Sequence, residues 1–212
     1  MEAKLQADNA SETLILKLAL RYTDSERVVA LPPSITVEAL LAIALSVFDF
    51  LGGHLSKITR KDGWTSTVRP DFDGSDDFEG DKDEDVWSTA VGDFLPVRGA
   101  KATIDYDFGD GWEIVVTRMA DKATAVPFTC IKSQGLDAIE DCGGPGGLAE
   151  VYGDLADWLA ASKKERAEFE SERLDWAFEL ESLTEEKARA LLSPPSAGEI
   201  TSHLKAIEPK RR

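Results

Sequence analysis

Asp105-Tyr106-Asp107-Phe108-Gly109-Asp110-Gly111-Trp112-Glu113 is the stretch on which the reading of this chain turns. Ahead of it, Ala102, Ile104 and Tyr106 alternate with Thr103, Asp105 and Asp107. Behind it, Trp112, Ile114 and Val116 alternate with Glu113, Val115 and Thr117. Two period-two runs joined across glycines that accept positive φ predict a β-hairpin. The bend also gathers carboxylates beside aromatic rings. One reading is a tight turn with solvated aspartates. The other is a site in which Asp107, Asp110 and Glu113 converge near an aromatic floor. Residue types alone leave both open.

Working outward towards the N-terminus, the leucines at 14, 16, 18 and 20 alternate with Ile15, Lys17 and Ala19, the pattern of a half-buried strand. Thr23 to Glu26 reads as a turn, Arg27 to Leu31 as a second strand, and Pro32-Pro33 ends it. Ser34 or Thr36 then caps a helix running to about Phe50, with Leu40, Leu41, Ala44, Leu45 and Phe48 at helical spacing. Gly52-Gly53 stops the helix, and His54 to Arg60 predicts a third strand with Leu55 facing inward. This ββαβ opening resembles a β-grasp roll.

Towards the C-terminus, Trp87 to Leu95 predicts a short helical turn, and Asp121 to Gln134 a strand or loop around Phe128 and Cys130. Glu140-Asp141-Cys142-Gly143-Gly144-Pro145-Gly146-Gly147 places four glycines in five positions, which predicts a loop shaped by its backbone. Helices are expected from Leu148 to about Ala161, from Lys163 to Glu181, and from Glu185 to Leu192 with Thr184 as cap. The expected fold class is α+β: a mostly antiparallel sheet with a packed helix, closed by C-terminal helices. One domain is expected over residues 12–192, followed by a disordered tail at 193–212. Residues 71–85 hold nine acids against Lys82, a run expected to be a mobile acidic loop. Its sixth residue is Asp76, where a calcium loop needs glycine.

The formal net charge of -16 disfavours DNA binding, because affinity for phosphate backbones comes from lysine and arginine. The basic clusters are small: Lys57, Arg60 and Lys61, and Lys210, Arg211 and Arg212. The longest apolar run, Ala39 to Phe48, falls far short of the roughly 20 residues a membrane helix requires. Two cysteines do not make a disulfide framework, and a reducing, cytoplasmic setting is expected.

With His54 and His203 the only histidines, a Ser-His triad is disfavoured. The glycine run lacks the Lys-Ser/Thr of a phosphate-binding P-loop, although a helix start behind Gly143 and Gly144 offers free N–H groups to an anion. Asp107, Asp110, Glu113 and Asp141 are the carboxylates available for acid–base or metal-assisted chemistry. Cys130 and Cys142 lack the short paired spacing of a zinc knuckle and are expected to be buried thiols.

Tyr106-Asp107-Phe108-Gly109-Asp110-Gly111-Trp112-Glu113 followed by Glu140-Asp141-Cys142-Gly143-Gly144-Pro145-Gly146-Gly147 resembles the plasmid pRiA4b ORF-3-like family. The likeness runs from about residue 12 to 192 and includes Ile35 to Leu40, Gly53-His54-Leu55 and Asp93-Phe94-Leu95. It implies an α+β domain, linked to plasmids and mobile elements, with no established activity. Members often carry a histidine or aromatic where Ser56 stands, and a further cysteine where Asp137 stands. With those residues a family zinc set is plausible; here the corresponding set is His54, Cys130, Asp137 and Cys142. Losing a thiolate argues against a retained site. No cofactor is therefore expected, zinc or another divalent cation being the alternative. The expected role is a non-enzymatic binding module that presents Trp112 and the Gly143–Gly147 loop to a protein or small ligand. A metal-assisted hydrolase and a nucleic-acid factor are the alternatives.

Overall fold

Alternation along Leu14, Leu16, Leu18 and Leu20 puts all four side chains on one face of the first strand, where each is at most 3% exposed. In the computed structural model, which describes residues 13–68, 85–123, 125–178 and 180–207, that strand lies within a sheet of seven. The strands are β1 (Thr13–Leu20), β2 (Glu26–Leu31), β3 (Ser56–Arg60), β4 (Thr65–Val68), β5 (Lys101–Tyr106), β6 (Trp112–Ala123) and β7 (Thr129–Gln134). Their order is β4-β3-β5-β6-β1-β2-β7, and every pairing is antiparallel. The ββαβ order of the opening is present, with β5 and β6 lying between β3 and β1. The acidic run at 71–85, apart from Asp85, lies outside the described residues.

The hairpin forms as its alternation predicts. Ile104 stands opposite Ile114, and Tyr106 opposite Trp112. Both pairs are buried, so the inward face of the hairpin supplies the floor of the core. Helix α1 (Val37–Ser46) covers that face with Val37, Leu40, Leu41, Ala44 and Leu45. It starts where Thr36 Oγ1 accepts the Ala39 N–H at 3.1 Å, a side-chain cap for an otherwise orphaned donor. A short helix, α2 (Val91–Phe94), adds Phe94 to the core.

Leu55 departs from expectation: it is 39% exposed. The inward residues of β3 are Ser56 and Ile58, and a period of two then turns Leu55 to the other side.

Three corrections concern the C-terminal part. The glycine run does not stay a loop, because Gly144 to Gly147 make the first turn of α3 (Gly144–Ala160), with Pro145 in the opening position that proline tolerates. Residues 163–181 are broken rather than one helix. They form α4 (Lys163–Arg166), α5 (Glu172–Phe178) and a 3₁₀ turn at Leu180–Ser182, because Ser171 Oγ accepts the Leu174 N–H at 3.1 Å and starts a new helix. Helix α6 (Glu185–Leu191) begins at Thr184, as expected. Val151, Leu155, Trp158, Leu174 and Leu183 form a separate apolar cluster beneath these helices.

The tail expected to be disordered is structured over much of its length. Helix α7 (Ala197–Ile207) packs on β7 and α1, with Ile200 and Leu204 buried in the main core. Thr201 Oγ1 accepts the Cys130 N–H at 3.0 Å, tying the helix to the outer strand. Only two apolar side chains on a polar helix carry this docking, too faint a period to register in the sequence.

Candidate functional site

Three loops meet at the end of the sheet where β5 turns into β6. The first is the turn 107–111. Asp107 takes a left-handed backbone (φ 48°), its Oδ1 accepting from the N–H of Gly109 at 3.1 Å and more distantly from that of Asp110. This Asx turn fixes the carboxylate and leaves Oδ2 facing His54. The second loop follows α1 and carries Gly52, Gly53 and His54. The third is the turn into α3, where Asp141 is also left-handed (φ 55°).

His54 sits between two of the acids. Its Nε2 lies 3.2 Å from Asp141 Oδ1, and its Nδ1 lies 3.8 Å from Asp107 Oδ2. Among the described residues, these three are the group of histidine, cysteine and carboxylate side chains whose ligand atoms lie close enough together for one metal ion. Asp107 is largely buried, His54 about one-third exposed, and Asp141 half exposed, so the cluster faces solvent on the Asp141 side. Its imidazole also meets the Tyr106 ring edge-on, at 5.8 Å between centroids.

The remaining expected residues scatter. Asp110 does not join the cluster; its Oδ2 accepts the Gly143 N–H at 3.1 Å and so caps the start of α3. One of the N–H groups that an outside anion would use is thereby occupied. Gly144 (φ 71°) passes so close to this turn that an added Cβ would stand 2.1 Å from Asp110 O. Glycine is required there for close approach, and Gly143 (φ 86°) for its left-handed bend. Glu113 points to the opposite face of the sheet and pairs with Arg21 at 2.5 Å. There it raises the pKa of Asp105, adding to the larger effect of burial. The expected convergence of Asp107, Asp110 and Glu113 fails because strand alternation sends Glu113 the other way. Trp112 is 1% exposed and packs edge-on against Phe50, so it is core rather than binding face.

The cysteine-centred set is also dispersed. Asp137 Oδ1 accepts from Arg27 at 2.7 Å, and Arg27 itself is fully buried. Cys130 Sγ donates to Lys132 O at 3.2 Å. Burial, reinforced by the charge of Asp110, pushes the Cys142 thiol up to about 11. Of that set, only His54 belongs to the observed cluster. Sequence reasoning named Asp107 and Asp141 together among the carboxylates, and His54 in a separate, cysteine-centred set. It missed Glu140 and Tyr106 as their support, although both stand inside the two glycine-centred motifs.

Both motifs thus build one place in the molecule. The family model described as plasmid pRiA4b ORF-3-like protein matches residues 12–186. This chain belongs to the plasmid pRiA4b ORF-3-like family. Among solved structures it is similar to a protein of unknown function, MM3350 from Methanosarcina mazei Go1. The two are 22% identical, with a TM-score of 0.55 over 78% of this chain and 89% of that one. At that identity the likeness speaks for the fold of the family alone. No curated protein matches the chain. No helix among the described residues is long and apolar enough to cross a membrane.

Proposed function

We propose that this pRiA4b ORF-3-like protein is a binding module built around one divalent cation of the zinc class, held by His54, Asp107 and Asp141. The observation that carries the reading is that one ligand atom from each of His54, Asp107 and Asp141, contributed by separate loops, lies within 4.8 Å of the other two. Donors about 2.0–2.2 Å from a common ion stand roughly 3–3.5 Å apart, close to the 3.2 Å between His54 Nε2 and Asp141 Oδ1. A mixed imidazole and carboxylate set suits a borderline cation better than a hard one. The Asx turn supports this by orienting Asp107 before any ion arrives.

Binding is favoured over hydrolysis by what surrounds the cluster. An ion with an open side can activate water, yet catalysis also needs a free base within reach. Glu113 lies on the other face with Arg21, and Asp110 is engaged by Gly143. A nucleic-acid role draws little support from the basic residues either. Arg60 is held by Asp62 at 2.7 Å and stacks over Phe94.

The test is calorimetric titration of zinc and manganese into the metal-stripped full chain. The expected result is one zinc per chain, lost in His54→Ala and Asp141→Asn and retained in Cys130→Ser and Cys142→Ser. Absence of binding, or binding indifferent to His54, overturns the reading. Dependence on the cysteines would instead restore the zinc set suggested by family resemblance.

A further inference from the structure

We infer that the cleft beside His54 docks a basic peptide segment carrying one large apolar anchor. The cleft, about 460 Å³, opens between the second half of α1, the loop after it, and strands β3 and β4. Leu41, Leu45, Phe50 and Val68 form its apolar wall, and the volume lies within the usual range of binding clefts. Apolar surface continues outside it. Leu51 is 86% exposed, Phe108 54% and Leu55 39%, all on loops that frame the His54 end. Leu55 O accepts the Asp107 N–H at 3.1 Å, which sets Leu55 beside the turn that carries Phe108. Exposed apolar side chains gathered at one end of a molecule mark a docking surface. A small molecule would use the cleft alone, whereas these side chains offer contacts to a chain running past it.

Charge selects the occupant. Three carboxylates touch residues that line the cleft: Asp107 and Asp141 flank His54, and Glu140 Oε1 accepts the N–H groups of Leu51 and Gly52. Among the described residues lining the cleft, none is lysine or arginine. Helix α1 ends at the same place, with Leu45 and Ser46 in the wall and no basic residue in its last turn. The carbonyl end of a helix carries partial negative charge, so it adds to the pull on a cation.

The same field rejects the occupants nearest at hand. A second copy of this chain brings a net charge of -16 to the contact, and the run at 71–85 brings nine acids against Lys82. Either would set like charge against like. A segment with lysine or arginine around one leucine or phenylalanine satisfies both halves of the surface. Its anchor fills the cleft, and its cations meet the acids and the carbonyl end of α1. This docking needs no bound metal; an ion held by His54, Asp107 and Asp141 would weaken it.

The experiment is fluorescence anisotropy on the full chain in EDTA, with a labelled short peptide in which lysines flank a Leu-Phe pair. Two control peptides replace the lysines by glutamates or the Leu-Phe pair by serines. The lysine peptide is expected to bind, each control on the order of tenfold more weakly, and binding should weaken as salt rises. Ala42→Lys puts a cation at an exposed position of the cleft wall and should weaken binding by about tenfold. Leu51→Ser should do the same by removing apolar contact. Ala190→Lys, the same charge change at an exposed position of α6, should alter binding by less than about twofold. All three variants should keep the melting temperature, since the positions are exposed. Equal binding of the glutamate peptide, or equal effects of Ala42→Lys and Ala190→Lys, overturns the inference. So does binding that appears only after residues 71–84 are replaced by a glycine-serine linker, because the chain would then cover its own cleft. A dimer that Ala42→Lys dissociates overturns it in favour of a second copy. Failure of the lysine peptide to bind in EDTA also overturns it and leaves the cation reading standing, which zinc tests without peptide.

Discussion

The Tyr106 hydroxyl donates a hydrogen bond to Glu140 Oε1 from beneath the site, joining β5 to the turn before α3. The same oxygen accepts the N–H of Leu51 at 2.9 Å and more weakly that of Gly52. One carboxylate therefore fastens the three segments that carry Asp107, His54 and Asp141. Burial, and after it the bond to Glu140, raises the pKa of the Tyr106 phenol far above its usual range, so it remains a donor at any ordinary pH.

Tyr106→Phe deletes that donor while keeping the ring. The expected cost is about 1–2 kcal/mol, measured by urea unfolding, with Glu140→Ala costing more because it abandons two backbone donors as well. A Tyr106→Phe change below about 0.3 kcal/mol would show that the bond is not formed in solution.

Trp112 tests the assignment of the hairpin to the core. Its indole is buried, and its Nε1–H has no partner among the described residues. Trp112→Ala should cost about 3–5 kcal/mol through the cavity it leaves. Trp112→Phe should cost less than about 2 kcal/mol, because the lost volume is partly offset by removal of an unsatisfied donor. Equal losses in the two variants would mean that the N–H is hydrogen-bonded after all.

The glycines entering α3 are not equivalent. Gly144→Ala drives a Cβ against Asp110 O and forces a left-handed residue, so a loss of at least about 2 kcal/mol is expected. Gly146 has open space around its missing Cβ and an ordinary φ. Gly146→Ala should be neutral or stabilising by about 0.5–1 kcal/mol. Paired melting curves decide it; comparable destabilisation by both would contradict the close approach of the two turns.

Truncation after Ser193 removes α7. Uncovering the places of Ile200 and Leu204 exposes part of the main core, and the expected loss is on the order of 3 kcal/mol or more, given about 1.5–3 kcal/mol per buried side chain. A truncated chain with an unchanged denaturation midpoint would return this segment to the status of a tail.

Local pattern was enough for the scaffold. The period of two along Leu14 to Leu20 and across Ala102 to Val116 fixed strands and their inward faces. Thr36 and Thr184 marked helix starts, and the two glycine-centred motifs marked the end of the sheet where the candidate site lies. These signals act within a few residues, where sterics and hydrogen bonding leave few alternatives. The sequence could not say which acids meet. Asp107 and Glu113 stand six residues apart on one hairpin, yet sheet geometry sends one to His54 and the other to Arg21. Asp141 reaches His54 only because Glu140 and Asp110 pull the α3 turn onto the hairpin. Helix α7 was hidden for the same reason: its own sequence is mostly polar, and its stability comes from the surface of β7 and α1 on which it lies. Pairing across long separations is decided by packing of the whole chain, and only the tertiary structure contains it.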